Sequence, residues 1–191
     1  MTDQYFSLDR RGFYKVGGTL NLFKQNPLPN VVSVPLPNGV TQADLQKHLA
    51  ELFPDGLSLH GWAYMDWFTD FIHSQGVAYA NYMVTLELVL EYVRRSFFAD
   101  CPSRLQSYFA YTSLPEVQAF RQKQGATEAD KPIYRLEADK VIKVDQAWLR
   151  LGNQNIIGSF CAHQYWSGAA SPNPEWEHVL AGPVQVIDQV A

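Results

Sequence analysis

Apolar positions recur with two different periods along the chain, and the change of period separates helical from extended stretches. Tyr5-Phe6-Ser7-Leu8 and Phe13-Tyr14-Lys15-Val16, divided by Arg10-Arg11-Gly12 and closed by Gly17-Gly18, predict two short strands joined by a turn. Pro27, Pro29, Pro35 and Pro37, with Asn30, Asn38 and Gly39, exclude a continuous helix from about residue 26 to 40. Thr41 then offers an N-cap oxygen with Asp44 three residues on, and Leu45, Leu49, Leu52 and Phe53 recur at helical spacing before Pro54 ends the run. From His60 to Ser74, Trp62, Tyr64, Met65, Trp67, Phe68, Phe71 and Ile72 cover most of a helical surface. Such a helix must be buried on nearly all sides, as core or as a face on which a planar ligand stacks. After Gly76 a second long helix is predicted from about Tyr79 to Phe98, with Met83, Leu86, Leu90, Val93 and Phe97 on one stripe. Glu87, Glu91, Arg94 and Arg95 make opposite-charge pairs at helical spacing, which predicts a partly solvated outer face.

Asp100-Cys101-Pro102-Ser103 ends that helix, and Gln106 to Tyr111 reads as a strand. Ser113 with Glu116 is a capping-box pattern, and Pro115 is tolerated in a first turn, so a helix begins here with Val117 and Phe120 inward. Residues 124–131 read as a loop. Strands are predicted at Ile133 to Glu137, Val141 to Val144, Ile156 to Phe160 and Val184 to Ile187, with turns between them. Helices early and strands late indicate an α+β fold, not an alternating parallel sheet. The chain contains no internal repeat and no low-complexity tract.

Composition narrows the classes further. A chain of 191 residues that is 47% hydrophobic is expected to form one domain, residues 1–191, with a sizeable core, and this argues against intrinsic disorder. The formal charge of −4 removes the basic footprint of a protein clamped along nucleic acid, while leaving a transient nucleic-acid substrate open. Only Cys101 and Cys161 are present, without a Cys-x-x-Cys or Cys/His spacing, so neither a disulfide framework nor a structural zinc site is suggested. The N-terminus lacks a basic stretch followed by an apolar core, and no apolar run approaches the ~18 residues of a membrane span. A soluble, cytoplasmic protein without membrane association is expected.

Large enzyme classes drop out on motif grounds. No glycine-rich phosphate loop follows a strand, and no Gly-x-Ser-x-Gly elbow occurs. His163, His178, Glu175 and Glu177 match no common zinc spacing, so no metal is expected. Tyr165-Trp166-Ser167-Gly168, a short loop, and Glu175-Trp176-Glu177-His178-Val179-Leu180 form the more informative constellation. If that last segment is extended, Glu175 and Glu177 share one face, roughly 7 Å apart along the strand. By spacing alone, the same pattern also describes two ordinary glutamates at a solvated strand end.

Glu91-x-x-Arg94, Pro102-Ser103-Arg104-Leu105, Ser107 to Ser113, Ile133-Tyr134-x-x-Glu137, Tyr165-Trp166-Ser167-Gly168 and Glu177-x-x-Leu180-x-Gly182-Pro183-Val184 occur in this order. Together they resemble an uncharacterised bacterial domain family that looks related to the ADP-ribosyltransferases, over about residues 85–190, with a weaker match at Tyr5 to Leu8. The resemblance implies a split antiparallel β core with N-terminal helices packed on it, the helical insertion occupying about residues 41–98. It implies mono-ADP-ribosyl transfer from NAD to a macromolecular acceptor, protein, RNA or DNA. NAD glycohydrolysis and a catalytically silent NAD-fold binding module are the alternatives. Glu177 would be the catalytic glutamate, and Glu175 would activate the acceptor. Tyr108 or Tyr111 would pack on the nicotinamide, Ser113 and Tyr165 would help hold the site, and Arg104 would neutralise the pyrophosphate. Ser7 occupies the position where His or Arg is usual, with Arg10 and Arg11 a turn away. Toxins, effectors and phage-defence proteins use this chemistry, so an antitoxin or inhibitor partner is also implied.

Overall fold

The computed structural model describes residues 4–28, 36, 38–65, 77–125 and 131–191. In chain order its elements are β1 (Tyr5–Leu8), β2 (Thr19–Leu20), α1 (Gln42–Leu52), α2 (Leu59–Met65) and α3 (Val77–Phe97). A 3-10 turn (Arg104–Gln106), β3 (Tyr108–Ala110), α4 (Leu114–Lys123), β4 (Ile133–Asp145), α5 (Asn155–Trp166) and β5 (Trp176–Gln189) follow. The fold is α+β, and no helix among the described residues is long and apolar enough to cross a membrane.

β4 and β5 form the frame, antiparallel from Tyr134 opposite Gln189 to Asp145 opposite Trp176. Glu137 and Val141 do not bound a turn as expected: β4 runs through them, and the register shifts between Ala138 and Lys140. Across from that bulge Gly182 takes φ +79° and Pro183 follows. A left-handed glycine, a residue without an N–H and a bulge all bend a strand. The N-terminal half of β5 then pairs with β3, Tyr108 opposite Leu180, while the other half pairs with β2, Leu20 opposite Val184. β1 pairs with the outer side of β4.

The bend brings the two outer strands together. Phe6 and Tyr111 exchange both backbone hydrogen bonds, at 2.7 and 2.9 Å, and Ser7 Oγ donates to the Phe109 carbonyl at 2.7 Å. The sheet therefore curls until β1 meets β3. All five strands supply a core of Tyr5, Leu20, Tyr108, Ala110, Tyr134, Leu136, Leu180, Val184 and Val186. On the other side of β4 and β5, Val144 and Val179 pack with Leu86 and Leu90 of α3 and Ala162, Tyr165 and Trp166 of α5.

The predicted helix over His60 to Ser74 is observed as α2 up to Met65; Trp67, Phe68, Phe71 and Ile72 lie outside the described residues. Thr41 caps α1 through the expected capping box with Asp44, and Ser113 caps α4. Three further expectations are corrected. Ile156 to Phe160 is not a strand but the start of α5, whose buried positions Gly158, Cys161, Ala162 and Tyr165 follow a helical period while Ile156 and Phe160 face solvent. Phe13 to Val16 is not a strand either. The Asp9 carboxylate gathers the N–H groups of Arg11, Gly12, Phe13 and Tyr14 at 2.8–3.2 Å, which winds this stretch into a loop. Glu87 and Glu91 are buried, not on a solvated face.

Gly61 lets α2 lie directly against the 3-10 turn, because a Cβ there would run into the Leu105 carbonyl oxygen. Gly61→Ala is expected to destabilise the protein by at least about 1–3 kcal/mol through overpacking. Denaturant unfolding of the purified variant measures the loss.

Candidate functional site

Arg104 is the centre of a buried polar cluster. Ser103 accepts the N–H of Leu105 and so starts the 3-10 turn that points Arg104 inward, where it is only 5% exposed. Its Nε and Nη2 donate to Glu87 of α3 at 3.0–3.1 Å. Nη1 donates to Glu177 Oε1 of β5 at 2.6 Å and to the Tyr165 hydroxyl of α5. Tyr165 in turn donates to Glu177 Oε1 at 2.8 Å. The guanidinium lies over the Phe109 ring, 4.5 Å from its centroid. His60 of α2 completes the cluster, with Nε2 3.1 Å from Glu87 Oε1 and its ring packed between Tyr64 and Phe109.

Burial by itself would raise the Glu87 pKa, but the adjacent guanidinium, then His60, outweigh it and hold the carboxyl down at about 2. Burial lowers the His60 pKa against the pull of Glu87, so the imidazole is neutral at neutral pH. Two carboxylates, one guanidinium and a neutral imidazole leave the cluster with a net charge of about −1.

The cluster forms one wall of a cavity of about 710 Å³, a size ordinary for a small-molecule site. Glu87, Arg104, Glu177 and His60 line it, as do the aromatic residues Tyr14, Tyr64, Tyr108, Phe109 and Tyr111. Arg10, Arg11 and Lys131 also line it. Arg10 is exposed, and the Asp9 carboxylate fixes the backbone that carries it. Burial pushes the Tyr14 and Tyr111 hydroxyls up to about 12, so both stay protonated and can donate.

Of the residues singled out from sequence, the structure brings Ser7, Arg104, Tyr108, Tyr111 and Glu177 together in the cavity wall. Tyr165 lies behind that wall, fully buried, and holds Glu177. Ser113 is outside the lining and serves as the α4 cap. Glu175 is also outside it. It precedes β5, is exposed, and lies 3.6 Å from Lys123. The Glu175 backbone is instead structural, because its N–H donates to Asp145 at 2.8 Å and its carbonyl accepts from the Gln146 N–H at 2.8 Å. Arg104, expected to face a pyrophosphate, spends its donors on Glu87, Glu177 and Tyr165. His60, Glu87 and Asp9 escaped the sequence reading. The Arg10-Arg11-Gly12 turn was a weak signal for Asp9, whereas nothing in the spacing pairs Glu87 with Arg104.

Among the described residues no three His, Cys, Asp or Glu side chains converge as a metal ion would require. Fold and site together define an α+β protein with a curled antiparallel sheet and a charged cavity beside it. The chain belongs to the family described as Protein of unknown function (DUF2441), which it matches over residues 11–191. No curated protein matches it.

The pH dependence of stability follows from the cluster. Glu87 titrates at about 2 when folded against an ordinary 4.5, so the unfolded chain takes up its proton first as pH falls. That stabilisation is fully present above pH 4.5 and is expected to disappear towards pH 2. His60, also lowered, adds a loss that begins as pH drops through its ordinary 6.5. Glu87→Gln should flatten the slope between pH 4.5 and 2 and cost about 3–5 kcal/mol at neutral pH, because it removes the charged acceptor that faces Nε and Nη2 of the buried Arg104. Denaturant midpoints of both proteins between pH 2 and 7 measure these effects.

Proposed function

We propose that the protein is an NAD-dependent mono-ADP-ribosyltransferase and that Glu177 is its catalytic carboxylate. The observation that carries this reading is the polarity of the cavity. Its lining combines Glu177 and a cluster of net negative charge with aromatic side chains and with the cationic residues Arg10, Arg11 and Lys131. NAD carries groups complementary to all three: a cationic nicotinamide riboside, flat rings and an anionic pyrophosphate. The ordered motifs read from the sequence support the same assignment.

Cleavage of the bond between nicotinamide and ribose builds positive charge on the sugar, and a fixed carboxylate beside it stabilises that charge. Both hydrogen bonds that Glu177 receives among the described residues arrive at Oε1, from Arg104 and Tyr165. Oε2 is thereby left for the sugar. Arg104 and Tyr165 orient the carboxylate, while Glu87 neutralises most of the guanidinium's charge, so the cluster still favours a cation. Tyr108, Phe109 or Tyr111 would pack on the nicotinamide ring, and Arg10 with Arg11 would face the phosphates.

A second reading, NAD glycohydrolase, is favoured by one placement. Glu175, the group expected to activate a macromolecular acceptor, lies outside the cavity and beside Lys123. Water would then be the acceptor.

Glu177→Gln is expected to lower nicotinamide release from NAD by about 100-fold or more while NAD still binds. Equal rates in the two proteins would remove the assignment. Labelled NAD incubated with cell lysate, then digested with protease and with nuclease separately, identifies the acceptor class. Free ADP-ribose with no labelled macromolecule would select the glycohydrolase.

A further inference from the structure

Sequence motifs direct attention to the strands, yet an imidazole from the helical layer stands in the same cavity wall. His60 lies on α2, largely buried, with its ring flanked by Tyr64 and Phe109 at 4.6 and 4.7 Å between centroids. Its Nε2 is 3.1 Å from Glu87 Oε1. A carboxylate only accepts, so Nε2 carries the hydrogen and the lone pair sits on Nδ1. No hydrogen bond to Nδ1 is present among the described residues. Nδ1 is also not a sealed orphan, since the buried polar side-chain atoms without a partner there are Ser171 Oγ and His178 Nδ1. His60 is in the cavity lining, and with Nε2 held by Glu87 the ring nitrogen left to act there is Nδ1.

A carboxylate that fixes one ring nitrogen while the other faces a reacting group is the arrangement of a general base. We propose that His60, anchored by Glu87, takes the proton from the nucleophile that attacks the ribose, a role that rests on the NAD reading above. The nucleophile's oxygen or nitrogen bonds to the anomeric carbon, and the bond from that carbon to nicotinamide breaks. The electron pair of that bond passes to the ring nitrogen and discharges it. The nucleophile's hydrogen moves to Nδ1, giving an imidazolium paired with Glu87, which then releases the proton to solvent. Glu177 stabilises the sugar cation, and His60 supplies the base that Glu175, lying outside the cavity, does not. The groups that set the His60 charge are Glu87 from α3, Arg104 from the 3-10 turn and Arg10 from the loop after β1. Tyr64 packs against it, and Glu177 and Tyr111 share its cavity.

The test uses the full chain, NAD as substrate and water as nucleophile, with nicotinamide release followed from pH 5 to 9. The wild-type rate should fall about tenfold per pH unit on the acid side, and His60→Asn should lack that limb and be about 100-fold slower at pH 8. NAD affinity of the variant should stay within about threefold of wild type, and imidazole added to His60→Ala should restore part of the rate. A His60→Asn protein with the wild-type rate and acid limb overturns the proposal. So does a rate loss that comes with weakened NAD binding and no rescue by imidazole, which would mark His60 as structural. Wild-type protein that releases no nicotinamide overturns the NAD reading itself, and the role of His60 with it. A wild-type enzyme that cleaves NAD without needing His60 fails this inference alone.

Discussion

The cavity depends on a guanidinium held out of water between two carboxylates. Moving Arg104 from solvent to a site 5% exposed costs several kcal/mol, and the opposing charges offset this only when geometry is good. Here it is good: Glu87 takes two of its nitrogens, Glu177 and Tyr165 share a third, and the Phe109 ring covers a face. Each partner arrives from a different element: α3, β5, α5 and β3. The cluster thus joins the helical layer to the sheet at one point, and none of these elements can shift without uncovering a charge. Buried ion pairs are weak sources of net stability compared with apolar packing. What this one provides is direction, because it fixes which oxygen of Glu177 is occupied.

Direction would mean little if the rest of the cavity were uniform in charge, and it is not. Asp9 spends its carboxylate on four consecutive backbone N–H groups, so the loop after β1 is rigid although it carries the exposed Arg10. The loop lies against the same cavity because the sheet curls, and the sheet curls because β5 bends at Gly182-Pro183 opposite the bulge in β4. A backbone feature in the middle of two long strands therefore decides that a cationic loop and an anionic wall share a cavity.

This explains which parts of the molecule were legible in the sequence. Caps are local, so Thr41-Asp44 and Ser113 announced their helices correctly. The residues later found around the cavity, Ser7, Arg104, Tyr108, Tyr111 and Glu177, were legible because they lie in short ordered motifs. Ile156-Ile157-Gly158 misled because β-branched residues next to a glycine imitate a strand. In α5 the glycine is instead a close-packed position, where a Cβ would lie 3.1 Å from the Leu151 carbonyl oxygen. Glu87 misled for a different reason. An i,i+4 charge pattern describes a solvated face unless a counter-ion arrives from elsewhere, and Arg104 arrives from 17 residues away.

The same reasoning shows why the strand motifs describe only half of the site. Glu177 and Tyr111 come from the sheet side, but Glu87 and His60 come from the helices α3 and α2. Without Glu87, Glu177 would balance the charge of Arg104 and leave the pair neutral, while Nε and Nη2 would lose their acceptor. With Glu87 present the cluster keeps a negative charge, and His60 has a fixed acceptor for its Nε2 hydrogen. A protein sharing only the strand motifs would present the same glutamate without the groups that set its charge. The helices α2 and α3 therefore set the charge of this cavity wall together with the sheet.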